Sequence, residues 1–262
     1  MSSLVCVEDH GPYALVRIER PEKRNAMNSV ARAALRSALG ALESSHRVVV
    51  LTGSGASFCS GMDLKEYASA PDGVALRAAA SRDWIETLLE IKRHPAIFIA
   101  AVNGIALGGG VSLINVSDLA LAAQTAEIGM PEMGFGTYPA MAGPSTQRMI
   151  SAKRAAWMVL TAQRISGTEA AHWGLVNEAV PAEMLESRWD SLARQVGQFD
   201  AVSLSESKQA LDAVPTRVFE WYAIMEVGQS VNAAIRAKTD AQSKGLARFA
   251  QGVHNPGQGS AA

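Results

Sequence analysis

An α/β architecture with parallel strands is what this 262-residue chain predicts, and three observations carry it. The short runs "RVVVLTG" and "AIFIAAVNG" are apolar throughout rather than alternating, as strands covered on both faces are. Segments with helical periodicity separate them, and strands alternating with helices favour parallel pairing. After about Pro181 the pattern turns wholly helical.

The elements follow in order. Residues 4–8 and 13–19 read as two strands around the turn "DHGP". Asn28 or Ser29 is placed to cap a helix running to about Leu42, with Val30, Ala34, Ala38 and Leu42 along one face. "RVVVLTG" is the next strand. Val74 to Arg93 has helical spacing that aligns Trp84, Leu88 and Ile91, and His94-Pro95 stops it. "AIFIAAVNG" gives another buried strand ending near Asn103, "LGGGVSLI" another helix, and "DLALAAQTAEIG" a further strand. Beyond Pro181, "EMLESRWDSLARQV", "AVSLSESKQAL" and "RVFEWYAIMEVGQSVNAAIRAKTD" make a helical C-terminal part. The final "GVHNPGQGSAA" reads as a frayed tail.

Composition narrows the function. With 48% hydrophobic residues, 19% charged residues and a net charge of -1, neither sign dominates, so neither nucleic acid nor an acidic membrane surface is an expected partner. Cys6 and Cys59 are too few for a disulfide framework, which points to a reduced, cytoplasmic setting. The opening "MSSLVCVEDHGPY" lacks a basic segment before an apolar core, so no signal peptide is expected. Pro95 to Ser117 carries no charge and approaches the roughly 20 residues a membrane helix needs. Its Asn103, Ser112 and four glycines make a poor lipid-facing helix, however, and a buried strand followed by a buried helix explains it better.

Several familiar sites fail on inspection. "VVVLTGSGASF" offers G-x-G after a strand, but Phe58 stands where a dinucleotide fingerprint needs a third small residue, and no helix follows. His10, His46, His94, His172 and His254 are scattered without ligand spacing and read as surface or loop residues, so no metal is expected. Ser112 lacks the G-x-S-x-G elbow of a serine nucleophile. Trp84, Trp221 and Tyr222 read first as core or interface aromatics.

The stretch "NGIALGGGVSLIN" holds three consecutive glycines at a strand-to-helix turn, yet no acid, base or metal ligand. The first N–H groups of a helix have no internal partner, and the aligned peptide dipoles make that end positive. Glycine lets a ligand or another strand of backbone come close. The turn therefore serves either tight packing or the stabilisation of negative charge. "FCSGMDLKEY" supplies a second such loop, with Gly61 after a strand.

Taken together, these segments resemble the crotonase superfamily, the enoyl-CoA hydratase/isomerase family. The resemblance rests on "ERPEKRNAMN", "FCSGMDLKEY", "AVNGIALGGG", "IGMPEMGFGTYPAMAGPSTQR" and "GTEAAHWGLVNEAVP", collinear between Glu19 and Pro181. It implies a crotonase-like spiral of ββα units over residues 1–195, followed by a helical trimerisation region over 196–262. It also implies a homotrimer or dimer of trimers and an acyl-CoA thioester substrate. Coenzyme A is then part of the substrate, and no separate cofactor is expected. By the same resemblance, the amides of Met62 and Gly109 form an oxyanion hole. Ala26, Ser60, Asp63, Leu64 and Lys65 contact the CoA portion, and Trp84, Phe135 and Tyr138 wall the acyl pocket.

The family's hydratases carry two glutamates, one on the helix after the glycines and one near a later "PE". This chain has Ser112 at the first position and Glu132 at the second. A desolvated Glu132 can move a proton near neutral pH, whereas a serine hydroxyl can only position a water. Hydration of a 2-enoyl-CoA is the leading expectation. The resemblance leaves open isomerisation of a 3-enoyl-CoA by the single glutamate, and hydration plus cleavage of a hydroxycinnamoyl-CoA, whose enzymes pair a serine with a glutamate as Ser112 and Glu132 are paired here, with Tyr222 near the phenol. A non-catalytic acyl-CoA-binding scaffold is the alternative from another class.

Overall fold

The computed structural model describes residues 4–68 and 73–217 and, beyond these, 230, 232–241, 244, 247–248 and 251. β1 (Val5–Asp9) and β2 (Ala14–Ile18) form an antiparallel hairpin, Val5 opposite Ile18. Asn28 caps α1 (Ser29–Leu42), its side chain accepting from the Ala31 amide at 2.9 Å. α1 buries Ala31, Arg32, Leu35, Leu39 and Leu42 and leaves Val30 61% exposed. The expected stripe through Val30, Ala34 and Ala38 is thus displaced by one position. Both stripes have helical spacing, but the leucines remove far more apolar area from water than the alanines do.

After α1 the chain alternates between two sheets. β3 (Val48–Gly53) is followed by β4 (Ser57–Cys59), α2 (Lys65–Ala68) and α3 (Gly73–Arg93). β5 (Ile97–Val102) is followed by β6 (Ile105–Leu107) and α4 (Gly109–Val116). β7 (Leu119–Ala123) is followed by β8 (Glu127–Gly129), and then by α5 (Ala142–Met149) and α6 (Ala152–Thr161). β9 (Ile165–Ser166), α7 (Gly167–Trp173), β10 (Glu178–Val180), α8 (Leu185–Gly197) and α9 (Ala201–Arg217) complete the order. In the pairs β3-β4, β5-β6 and β7-β8 the first strand joins a six-stranded sheet, β1-β2-β3-β5-β7-β10, and the second joins a four-stranded sheet, β4-β6-β8-β9. That is a spiral of ββα turns. β2, β3, β5, β7 and β10 pair in parallel, as expected.

Two sequence expectations need correction. The Asn103–Gly108 turn contains β6, and "DLALAAQTAEIG" is two strands in different sheets, not one. Three-residue strands are too short to show a period. The buried positions are otherwise where expected: β3 and β5 are buried throughout, and Trp84, Leu88 and Ile91 of α3 are buried too. β3 leads into β4 with no helix between them, so the G-x-G there is a turn and no dinucleotide loop.

His94 departs from a surface reading. It is buried, its Nδ1 accepting from the Ala96 amide at 3.1 Å and its Nε2 lying 3.1 Å from the Leu39 carbonyl. α9 is tied to the sheet by Lys208, which is buried, lies 3.0 Å from Asp118 and donates to the carbonyls of Ile91 and Ala96. Trp221, Tyr222 and the tail after Gln251 lie outside the described residues. No helix among the described residues is long and apolar enough to cross a membrane.

Candidate active site

Two loops meet beside the N-terminus of α4. Met27 and Met62 form an isolated parallel bridge, with the Met27 amide donating to the Gly61 carbonyl at 2.8 Å and the Asp63 amide to the Met27 carbonyl at 3.2 Å. In extended backbone successive N–H groups face opposite ways, so the Met62 amide faces away from Met27. Gly109 is the first residue of α4, where a helical amide has no internal acceptor. Among the described residues, neither the Met62 nor the Gly109 amide donates to another group. Both residues line one cavity of about 240 Å³.

The glycines let the loops touch. A Cβ on Gly61 would sit 2.8 Å from the Leu107 carbonyl oxygen and 3.0 Å from the Gly109 nitrogen. One on Gly109 would sit 3.2 Å from the Gly61 Cα and 3.3 Å from the Trp84 ring. Gly108 has φ +51° and gives way to Glu132, whose Oε1 lies 2.6 Å from where a Cβ would be. The glycine run therefore serves packing and leaves backbone bare at the cavity, both at once.

Glu132 follows Pro131 in a short 3₁₀ turn, Pro131–Phe135. It is half-buried, and its Oε2 is shielded from bulk water without a hydrogen-bond partner. Burial pushes its pKa above the ordinary carboxylate value, opposed only by a hydrogen bond with its own backbone. Among the described residues, no neighbouring cation stabilises the charge, and Glu132 is the one carboxylate in the lining.

Ser112 lies one helical turn after Gly108 and is fully buried. A serine inside a helix commonly bonds back to the carbonyl four residues earlier. Ser117 does so to Leu113 at 2.8 Å, and Ser145 to Met141 at 2.8 Å. The Ser112 hydroxyl instead has no partner among the described residues. Cys59, at the end of β4, is no nucleophile, because burial pushes its thiol up to about 12.

Most of the residues singled out by sequence come together. Ser60, Met62, Leu64, Trp84, Gly109, Ser112, Glu132, Phe135 and Tyr138 all line the cavity. Phe135, Tyr138 and Leu64 are exposed at its edge, while Trp84 is 0% exposed. Ala26, Asp63 and Lys65 stand outside the lining. The Ala26 carbonyl accepts from the Arg20 guanidinium, which also pairs with Asp63 at 3.1 Å, and Lys65 is exposed. Sequence reasoning missed Gly108 as the residue that admits Glu132, and Thr137 and Met141 as walls. Thr137 and Met141 belong to the "GFGTYPAMAG" segment already quoted, which was the available clue.

Known proteins share this architecture. The profile of the enoyl-CoA hydratase/isomerase family matches residues 10–254. A probable enoyl-CoA hydratase of Rhodobacter capsulatus is 34% identical over 201 residues, covering 76% of this chain and 77% of that protein. A hydroxycinnamoyl-CoA hydratase-lyase of Pseudomonas fluorescens is 34% identical over 213 residues, covering 78% of this chain and 76% of its own length. The crystal structure of enoyl-CoA hydratase from Bacillus anthracis superposes with a TM-score of 0.89 at 27% identity, covering 98% of this chain and 100% of its own. The chain therefore has the crotonase fold and belongs to the enoyl-CoA hydratase/isomerase family of enzymes.

Proposed function

We propose that the protein hydrates the double bond of a 2-enoyl-CoA thioester. Water held between Ser112 and Glu132 loses a proton to the Glu132 carboxylate as its oxygen bonds to C3 of the substrate. The π electrons shift to C2 and the thioester oxygen, giving an enolate. The amides of Met62 and Gly109 receive that negative charge, and one fixed donor of this kind is worth roughly 3 kcal/mol in the transition state. Glu132 then returns the proton to C2, so that atoms and charge balance with no redox step. In the same reading the CoA portion runs along Ser60 to Lys65 beside Ala26, and the working unit is a homotrimer or a dimer of trimers.

The observation that carries this reading is the pair of buried, unpartnered oxygens, Ser112 Oγ and Glu132 Oε2, on the cavity that also borders the two free amides. Proton transfer between two carbons would use Glu132 alone and leave the serine hydroxyl idle. A second reading, hydration followed by carbon–carbon cleavage of an aromatic enoyl-CoA, is supported by the aromatic residues Trp84, Phe135 and Tyr138 on the same cavity. Turnover of crotonyl-, 3-hexenoyl- and feruloyl-CoA by the purified chain tests these. Loss of conjugated-thioester absorbance with crotonyl-CoA is expected. Turnover of 3-hexenoyl-CoA alone would replace hydration by isomerisation, and aldehyde release from feruloyl-CoA would establish the second reading. CoA-thioester binding without any turnover would leave a scaffold. Sedimentation of the pure protein tests the oligomer.

Ser112→Ala provides a sharper check. The hydroxyl has no partner among the described residues, so its removal is expected to leave the melting temperature unchanged or slightly raised. Its loss costs one hydrogen bond to the attacking water, about tenfold in kcat/KM on crotonyl-CoA. An unchanged rate would remove Ser112 from the mechanism.

A further inference from the structure

Trp84 holds a polar group that the hydration chemistry does not use. The residue is 0% exposed, and its indole Nε1 is buried with no hydrogen-bond partner among the described residues. The edge of the ring carrying that nitrogen faces the loop junction, with Nε1 and Cζ2 each 3.3 Å from where a Cβ on Gly109 would be. Trp84 lines the same cavity as Ser112 and Glu132. A buried indole N–H ordinarily finds an acceptor, and an alkyl chain lying against this one would leave it unpaired.

The thioester oxygen does not supply the acceptor. A carbonyl oxygen has two lone-pair directions, and in the reading above the Met62 and Gly109 amides take both. In the same reading the pantetheine carbonyls and hydroxyl lie with the CoA portion along Ser60 to Lys65, which leaves an oxygen on the acyl group itself as the acceptor. We infer that Trp84 Nε1 is a specificity-determining donor, and that the preferred ligands are acyl-CoA thioesters whose acyl chain carries a hydroxyl, keto or phenolic oxygen that meets this N–H. This rests on the acyl-CoA reading of the cavity, and not on hydration being the reaction. A site built around a hydrogen bond rejects the analogue lacking it, because its own polar group is then stranded.

The test measures binding, so that it stands apart from turnover. Hexanoyl-CoA and its 4-, 5- and 6-hydroxy derivatives are titrated calorimetrically into the wild type and Trp84→Phe. One hydroxylated member is expected to bind at least about tenfold tighter than hexanoyl-CoA to the wild type, the worth of one hydrogen bond. In W84F that advantage is expected to fall to within about twofold of unity, by the same arithmetic. Each ratio is taken within one protein, so a general loss of packing cancels. If W84F does not fold, 3-benzothienylalanine at position 84 keeps the ring shape and removes the N–H. Equal affinities for all four thioesters in the wild type overturn the inference, as does a preference that survives in W84F. A loss that is equal for all four thioesters in the 3-benzothienylalanine variant, which keeps the packing, also overturns it, by assigning the N–H to the thioester oxygen. A wild type that shows the preference but never turns over an enoyl-CoA refutes the hydratase reading and leaves this one standing. A wild type that binds no CoA thioester refutes both.

Discussion

Glu132→Gln is expected to lower kcat/KM on a 2-enoyl-CoA by roughly a hundredfold to ten-thousandfold, the range that one positioned acid–base group supplies. Glutamine keeps the size and one carbonyl oxygen, so the cavity stays filled while the proton acceptor is lost. The fold is expected to gain rather than lose stability at neutral pH. Burial raises the Glu132 pKa, so across the interval between its unfolded and folded values the folded state binds the proton more tightly. Stability from this group thus falls as pH rises through that interval, and at neutral pH the charged carboxylate is a cost that glutamine removes. A variant that melts at or above the wild-type temperature while losing the rate separates catalysis from unfolding. The wild-type kcat/KM is expected to decline as pH falls through the raised pKa, with an acid limb above the ordinary glutamate value of 4.5. An E132Q enzyme with wild-type kcat/KM, or a wild-type profile flat down to that ordinary value, would take Glu132 out of the chemistry.

The large elements were legible because burial writes itself into composition. β3 and β5 are covered on both faces and read as uninterrupted apolar runs, and α3 announces itself by Trp84, Leu88 and Ile91. β6 and β8, at three residues each, carry no period, and only their pairing with β4 and β9 defines them. In α1 two stripes offset by one residue had equal spacing. The choice fell to the leucines, a tertiary decision that a count of apolar positions does not make.

At the site, residue types and motif order pointed to the cavity more reliably than to the work of each atom. Ser112 was visible as a departure from the paired-glutamate pattern. What distinguishes it from Ser117, five residues on, is a hydroxyl left unbonded, and that depends on what surrounds each face of α4. Trp84 read first as a core or interface aromatic and only through the resemblance as a pocket wall, and it is both, buried completely while bordering the cavity. Ala26 and Asp63 are joined through Arg20, a long-range arrangement that no local spacing reveals.

Gly108→Ala is expected to reduce kcat/KM at least about a hundredfold, although position 108 offers no side chain to the reaction. Two costs fall on one methyl group. The residue sits at φ +51° and ψ −108°, which an L side chain rarely adopts, and backbone strain of this kind costs about 1–3 kcal/mol. The new Cβ would also lie 2.6 Å from Glu132 Oε1, closer than any carbon–oxygen contact tolerates. The carboxylate must then withdraw, and displacing a reacting group by about 1 Å can cost a hundredfold. Since the methyl group acts on the rate through Glu132, the losses from G108A and E132Q are expected not to add. The double variant should turn over no more than about threefold slower than E132Q alone, a departure from additivity typical of groups in contact. Fully multiplicative losses would show that alanine at 108 damages the oxyanion amides or the fold of α4 instead, and a thermal melt of G108A distinguishes those two.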